Sequence, residues 1–133
     1  MTAIVKEVNI AAPISEVWAA LTDAPTISAW MGDNSARVDL EVGGAYALFD
    51  GETTGRLVRI EAPHRLDYTW RQSTWQPGWE DSLVSWELNP EGKHTRLKLT
   101  HSNFPNVEER DGHDEGWDLY WLEPMVDYLE RQA

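Results

Sequence analysis

The chain contains no cysteine and no apolar run long enough to cross a membrane. Disulfide scaffolds, thiolate metal sites and cysteine nucleophiles are therefore excluded. The first ten residues also lack the basic region and apolar core of a signal peptide. We expect a cytoplasmic protein that does not insert into a membrane.

Basic residues are few as well. The chain has 11 Lys and Arg against 23 Asp and Glu, a formal net charge of −12. This charge repels nucleic-acid phosphates and anionic lipid surfaces, and no arginine-rich segment offsets it. Neither nucleic acid nor membrane is an expected partner.

Internal repeats, low-complexity tracts and linkers are absent too. At 133 residues and 41% hydrophobic content, the chain is long enough and apolar enough for one core. We expect one domain covering residues 1–133.

The first third of the chain predicts a strand followed by two short helices. Apolar and polar side chains largely alternate over residues 4–10, as they do in a β-strand. Residues 12–21 then carry apolar side chains at the i, i+3, i+4 and i+7 positions of a helix. A second helix is expected from Pro25 to Met31, ended by Gly32.

Residues 36–102 carry the alternation and frequent turn signals of an antiparallel sheet. A type I turn is expected at residues 89–92, because Pro90 and Gly92 suit its second and fourth positions. The predicted strands are residues 38–42, 46–48, 55–60, 65–72, 84–88 and 97–99.

The end of the chain predicts a helix, since Trp117, Trp121, Met125 and Tyr128 recur every three to four residues. Pro124 cannot donate a backbone hydrogen bond, so we expect a bend or break there that opens a gap against the sheet. Residues 102–116 read as a polar, acidic connection of lid-like length.

Strands grouped between helices imply an α+β fold with the final helix covering one face of the sheet. Six segments, in this order and spacing, resemble a known superfamily: residues 11–23, 27–31, 43–46, 55–70, 84–101 and 113–117. It is the helix-grip superfamily of START, polyketide cyclase and birch-pollen-allergen proteins. Within it, the chain looks most similar to the activator of heat-shock-protein-90 ATPase homologue group.

The resemblance implies a seven-stranded antiparallel sheet wrapped around a long carboxy-terminal helix, with two short helices between strands 1 and 2. It also implies a cavity for small apolar or aromatic molecules, although members of the superfamily differ in function. The group's co-chaperone activity depends on an additional amino-terminal domain. This chain starts at the first strand, so we do not expect that activity here.

Tryptophans are the most informative residues that are present. Trp70 and Trp86 share the apolar side of their strands, and Trp117 and Trp121 face them from the helix. Such rigid, flat indoles either fill the core or line a cavity for a planar ligand held by stacking and one hydrogen bond. The candidate ligand-binding residues are Trp30, Tyr46, Tyr68, Trp70, Trp86, Trp117, Tyr120 and Trp121.

Trp75 and Trp79 flank the Pro77-Gly78 turn and are expected to be partly exposed. Together with His113 they form a predicted rim or interface, for which ligand capture and homodimerisation are both open.

Residues for chemistry are scarce, since no nucleophile elbow, P-loop, dinucleotide fingerprint or zinc motif occurs. We predict no catalytic residue, metal or cofactor. His64, His94 and His101 are interpreted as solvated or structural, and the acidic residues 108–115 as a solvated loop. Arg59, Asp67, Arg71 and Glu87 fall on the solvent side of the sheet, which leaves Lys6 and Arg56 as charges that could reach a cavity.

Three hypotheses remain. The preferred one is a module that binds a small apolar or aromatic molecule. A cyclase-like or lyase-like enzyme requires at least two charged or tautomerisable side chains in the cavity. A protein-interaction or chaperone-modulating (co-chaperone-like, stress-response) domain requires a filled core with Trp75 and Trp79 exposed in one patch.

Overall fold

A seven-stranded antiparallel sheet forms the body of the protein in a computed structural model that describes residues 2–132. Its strand order is β1-β7-β6-β5-β4-β3-β2, so the first and last strands of the sequence are neighbours. The strands are β1 (Ile4–Ile10), β2 (Arg37–Val38), β3 (Ala45–Leu48), β4 (Thr53–Glu61), β5 (Arg65–Gln72), β6 (Ser82–Glu91) and β7 (His94–Ser102).

Two short helices, α1 (Ile14–Thr22) and α2 (Ala24–Met31), lie between β1 and β2 as predicted. The Asp23 carboxylate accepts a hydrogen bond from the Thr26 amide and so caps α2. Gly32, at φ 78°, ends α2 in the left-handed conformation that glycine adopts without steric cost.

A long helical segment closes the chain and begins earlier than expected. It consists of α3 (Val107–Gly116), a π-helical segment (Trp117–Leu122) and α4 (Glu123–Gln132). The Asn106 side chain caps α3 by accepting from the Glu109 amide at 2.8 Å. The predicted lid-like connection was therefore wrong for residues 107–116, which are helical.

Of the bend or break expected at Pro124, the break does not occur. Helical structure continues through residues 107–132, and the turn before Pro124 widens so that the Glu123 amide donates to the carbonyl of Asp118, five residues earlier. A π-helical turn accommodates proline because it shifts the hydrogen-bond pairing instead of ending it.

Two predicted details of the sheet were also wrong. The β6–β7 turn is Gly92-Lys93, because Gly92 takes the positive φ of 64° that a two-residue hairpin needs and Pro90 pairs with Thr95 inside the ladder. Strand β2 ends at Val38, and Leu40 and Val42 are exposed. The chain turns back there through the Asp39 carbonyl, which accepts from the Glu41 amide.

The core lies between the concave face of the sheet and the helices. Leu66, Tyr68 and Trp70 of β5 are buried there, and Trp117, Trp121 and Met125 meet them from the last helical segment. This arrangement confirms the predicted α+β helix-grip architecture. Within residues 2–132, every helix is too short or too polar to span a lipid bilayer.

Gly55 allows strands β4 and β5 to approach closely. A Cβ atom at this position would lie 1.8 Å from the Thr69 carbonyl oxygen. Gly55→Ala should therefore lower the free energy of unfolding by about 3 kcal/mol, as overpacking against backbone does. Urea denaturation measures this loss. The control is Gly78→Ala, where an added Cβ meets no atom within 4 Å. Equal stability of the two variants would contradict the close approach.

Candidate functional site

An open pocket of about 270 Å³ lies where the last helical segment crosses the end of β5. Indole rings form its wall, and polar side chains of α3 lie at its mouth. The lining residues are Trp70, Gln72, Glu108, Glu109, Gly112, His113, Gly116, Trp117, Tyr120 and Trp121.

Three buried indoles form the apolar wall of the pocket. The ring centroid of Trp70 lies 5.0 Å from that of Trp117 and 6.1 Å from that of Trp121. Trp117 and Trp121 are themselves 4.8 Å apart, with planes tilted by 56°. Tilted packing of this kind is favourable for aromatic rings and fixes their orientation, so the wall is preformed.

His101 lies beneath this wall and is fully buried. Its Nδ1 accepts a hydrogen bond from the Trp117 indole at 3.0 Å, so Nε2 carries the proton and faces the Ser82 hydroxyl at 2.7 Å. The Ser82 hydroxyl in turn donates to the Trp70 carbonyl. Burial, together with the nearby His113, lowers the pKa of His101 to about 2. His101 is thus a neutral structural residue.

His113 holds the pocket wall from the helix side. Its Nε2 accepts from the Trp70 indole at 3.0 Å, and its Nδ1 donates to the Glu109 carbonyl at 2.7 Å. Both ring nitrogens therefore have protein partners, and the imidazole is held in one tautomer. The hydrogen bond between Trp70 and His113 links the end of β5 to α3.

Trp121 differs from the other two wall tryptophans. Within residues 2–132, its indole N–H makes no hydrogen bond, and every fully buried side-chain nitrogen or oxygen has a partner. The Trp121 N–H must therefore reach solvent, although the residue is only 4% exposed. Its N–H thus has no partner among residues 2–132, whereas those of Trp70 and Trp117 donate to histidines.

The structure divides the eight predicted ligand-binding residues into two groups. Trp70, Trp117, Tyr120 and Trp121 line the pocket, and Tyr120 is 66% exposed at its edge. The other four lie in the packed core outside its lining: Trp30, Tyr46, Tyr68 and Trp86.

Those four core aromatics satisfy their polar groups within the protein. Trp30 donates to the Ala20 carbonyl, Tyr46 donates to the Leu21 carbonyl, and Trp86 donates to the Tyr68 hydroxyl. Tyr46 and Tyr68 stack with centroids 4.0 Å apart, and burial raises the pKa of both phenols. Trp30, Tyr68 and Trp86 thus lie in the packed core, and Tyr46, which is also buried, borders a second pocket.

The three residues of the predicted rim lie in different settings. Trp75 is 5% exposed, because it packs beside α3 and its indole donates to the Glu109 carboxylate at 2.7 Å. The expectation that Trp75 is partly exposed was therefore wrong. Trp79 is half-buried beside Trp75, and His113 lines the pocket itself.

The charged residues that were expected to reach a cavity lie outside the pocket. Lys6 pairs with Asp114 and Asp118 on the helical segment, and neither Lys6 nor Arg56 lines the pocket.

Asp67 faces away from the core but is only 7% exposed, since it accepts from the Ser85 hydroxyl and pairs with Arg65. Full solvation was the wrong expectation for this carboxylate.

Sequence reasoning missed five lining residues: Gln72, Glu108, Glu109, Gly112 and Gly116. The available signal was Asn106 followed three residues later by Glu109, a capping-box spacing that marks a helix start. Once α3 begins there, the pairs at 108/109, 112/113 and 116/117 fall on one helical face. Between residues 2 and 132, no three His, Asp or Glu side chains group closely enough for a metal ion.

The sheet, the covering helical segment and the pocket between them define a helix-grip protein of the α+β class. Residues 11–130 match the family described as Activator of Hsp90 ATPase homolog 1-like protein. The chain belongs to this family, which confirms the resemblance drawn from its sequence.

Solved structures show the same fold. An HSP90 activator from Plasmodium falciparum is 28% identical with a TM-score of 0.88, covering 97% of this chain and 96% of that one. CalU16 from Micromonospora echinospora is 30% identical with a TM-score of 0.82, covering 98% of this chain and 76% of that one.

A curated relative shares less of its length. An uncharacterized protein of Schizosaccharomyces pombe is 26% identical over 98 residues, or 74% of this chain. The match spans only 29% of the yeast protein.

The neutral state of His101 makes stability depend on pH. Its pKa is about 2 when folded and about 6.5 when unfolded, so below pH 6.5 the unfolded chain binds a proton that the folded one does not. Between pH 6.5 and 5, this group should lower the free energy of unfolding by about 1 kcal/mol per pH unit. The loss is absent above pH 6.5.

Chemical denaturation at several pH values measures this slope. His101→Gln should flatten it, whatever its stability at neutral pH, because the titrating group is gone. His94→Gln removes an exposed histidine and should keep the original slope. Identical slopes for wild type and His101→Gln would contradict the assignment.

Proposed function

We propose that the protein binds a small planar, apolar or aromatic molecule in the pocket between α3 and β5. The observation that carries this proposal is the preformed wall of Trp70, Trp117 and Trp121 beside an open volume of about 270 Å³. That volume is just below the usual range for ligand pockets and suits a ligand of one or two rings.

Rigidity of the wall supports binding. Trp70 and Trp117 are each fixed by a hydrogen bond to a histidine, so a ligand need not order them on entry. Binding to preformed surfaces avoids part of the entropic cost of association. The free N–H of Trp121 supplies the single hydrogen bond that orients a flat ligand.

Catalysis by a cyclase-like or lyase-like mechanism is the second candidate. The required ionisable side chains do line the pocket, because Glu108, Glu109 and His113 are all present. Both nitrogens of His113 are engaged, however, and using it as acid or base would release Trp70 from the wall. Binding therefore agrees better with the geometry than catalysis does.

A protein-interaction role has less support, since it required Trp75 and Trp79 to be exposed together and Trp75 is buried. The HSP90 activator from Plasmodium falciparum nevertheless makes a chaperone-related partner the natural alternative. A cytoplasmic location, a homodimer and a single domain for the chain stay predictions.

Filling the pocket should abolish binding without weakening the fold. Gly112 lines the pocket, and a Cβ there meets no atom within 4 Å. Leucine is also a better helix former than glycine by about 0.5–1 kcal/mol. Gly112→Leu should therefore eliminate binding of 2-naphthylmethanol, measured by calorimetric titration, while thermal stability is maintained or raised.

The matched control is Glu115→Leu, an exposed position of α3 outside the pocket lining. It should bind the probe as wild type does. Native mass spectrometry of the purified protein should also detect a retained small molecule that Gly112→Leu lacks. Equal binding by wild type and Gly112→Leu would rule out this pocket as the site.

A further inference from the structure

The charges at the pocket mouth define a narrower ligand class than its aromatic wall alone. Building on the proposed function, we infer that the pocket selects planar aromatic molecules that carry a positive charge, such as a protonated amine. Two features carry this inference: the carboxylates of Glu108 and Glu109 at the pocket mouth and the aromatic faces that line the pocket.

The carboxylates of Glu108 and Glu109 are the only full charges that the pocket lining contributes, within residues 2–132, when His113 is neutral. One oxygen of Glu109 accepts from the Trp75 indole at 2.7 Å. No residue in the described chain donates to the other oxygen, which leaves it for a ligand donor.

Nearby basic side chains are directed elsewhere. Lys6 binds Asp114 and Asp118, and Arg71 binds the Trp79 carbonyl and Asp81 across the hairpin. Arg110 donates to the Thr2 carbonyl and pairs with Asp111. None of these three cations lines the pocket.

The amino terminus of α3 offsets the carboxylates only in part. A helix amino terminus is equivalent to roughly half a positive charge, whereas Glu108 and Glu109 carry two negative charges in the first turn. Asn106 already accepts from one of the terminal amides. The local balance remains negative and adds to the net charge of −12.

The wall favours the same ligand chemistry. Trp and Tyr faces attract cations through their ring quadrupoles, more strongly where water is excluded. An anionic group at the mouth would instead meet two carboxylates without a compensating cation.

Three naphthalene probes of matched shape test the inference: protonated 2-naphthylmethylamine, neutral 2-naphthylmethanol and anionic 2-naphthoate. At pH 7 and low salt, the ammonium probe should bind about tenfold more tightly than the alcohol, and the carboxylate more weakly than either. Because salt screens charges at the surface, the preference should shrink at higher ionic strength.

Variants assign the preference to the two carboxylates. Glu108→Gln combined with Glu109→Gln should reduce the ratio of ammonium to alcohol affinity toward one. Glutamine at 109 retains an amide oxygen as acceptor for Trp75, so the fold should persist. Glu115→Gln removes the same charge from an exposed position outside the pocket and should leave the ratio at its original value.

The outcomes separate the two proposals. Binding of the alcohol and the ammonium with equal affinity would overturn the cation inference and leave the proposed binding function in place. No binding by any of the three probes would overturn both. A tenfold preference that persists in the double variant would exclude Glu108 and Glu109 as its source.

Discussion

Each indole N–H buried against the sheet needs an acceptor, because an unpaired buried donor is costly. Five tryptophans meet this requirement inside the protein, each through a different group. The pairs are Trp30 with the Ala20 carbonyl, Trp70 with His113, Trp75 with Glu109, Trp86 with Tyr68 and Trp117 with His101. These hydrogen bonds join α1 to α2, β5 to β6, and the sheet with its β5–β6 connection to the last helical segment.

The requirement also explains where the pocket forms. Trp70 and Trp75 come from β5 and the following hairpin, and both find their acceptors on α3. The helix is therefore positioned by its polar contacts here, since none of the residues of α3 is buried. Polar anchoring at the edge leaves space between helix and sheet that side chains of a continuous apolar face would have filled.

Short-range patterns predicted the architecture well. Two-residue alternation placed Trp70 and Trp86 on the inner face, and the spacing of Trp117 and Trp121 placed them opposite, where the structure has them. Helix α3 was not predicted, because it buries no apolar residue and therefore lacks hydrophobic periodicity. The burial of Trp75 depends on Glu109, 34 residues later, a distance that no local pattern reports.

Lys6 affects how readily the protein aggregates at high concentration. Strand β1 is a seven-residue edge of the sheet, long enough for another chain to add a strand to it. Its third residue is Lys6, which is paired with Asp114 and Asp118, so the docked helix keeps a charge on this edge. The strand at the opposite edge, β2, contains only two residues with which another chain could pair. Both borders of the sheet thus resist the strand addition that leads to aggregation.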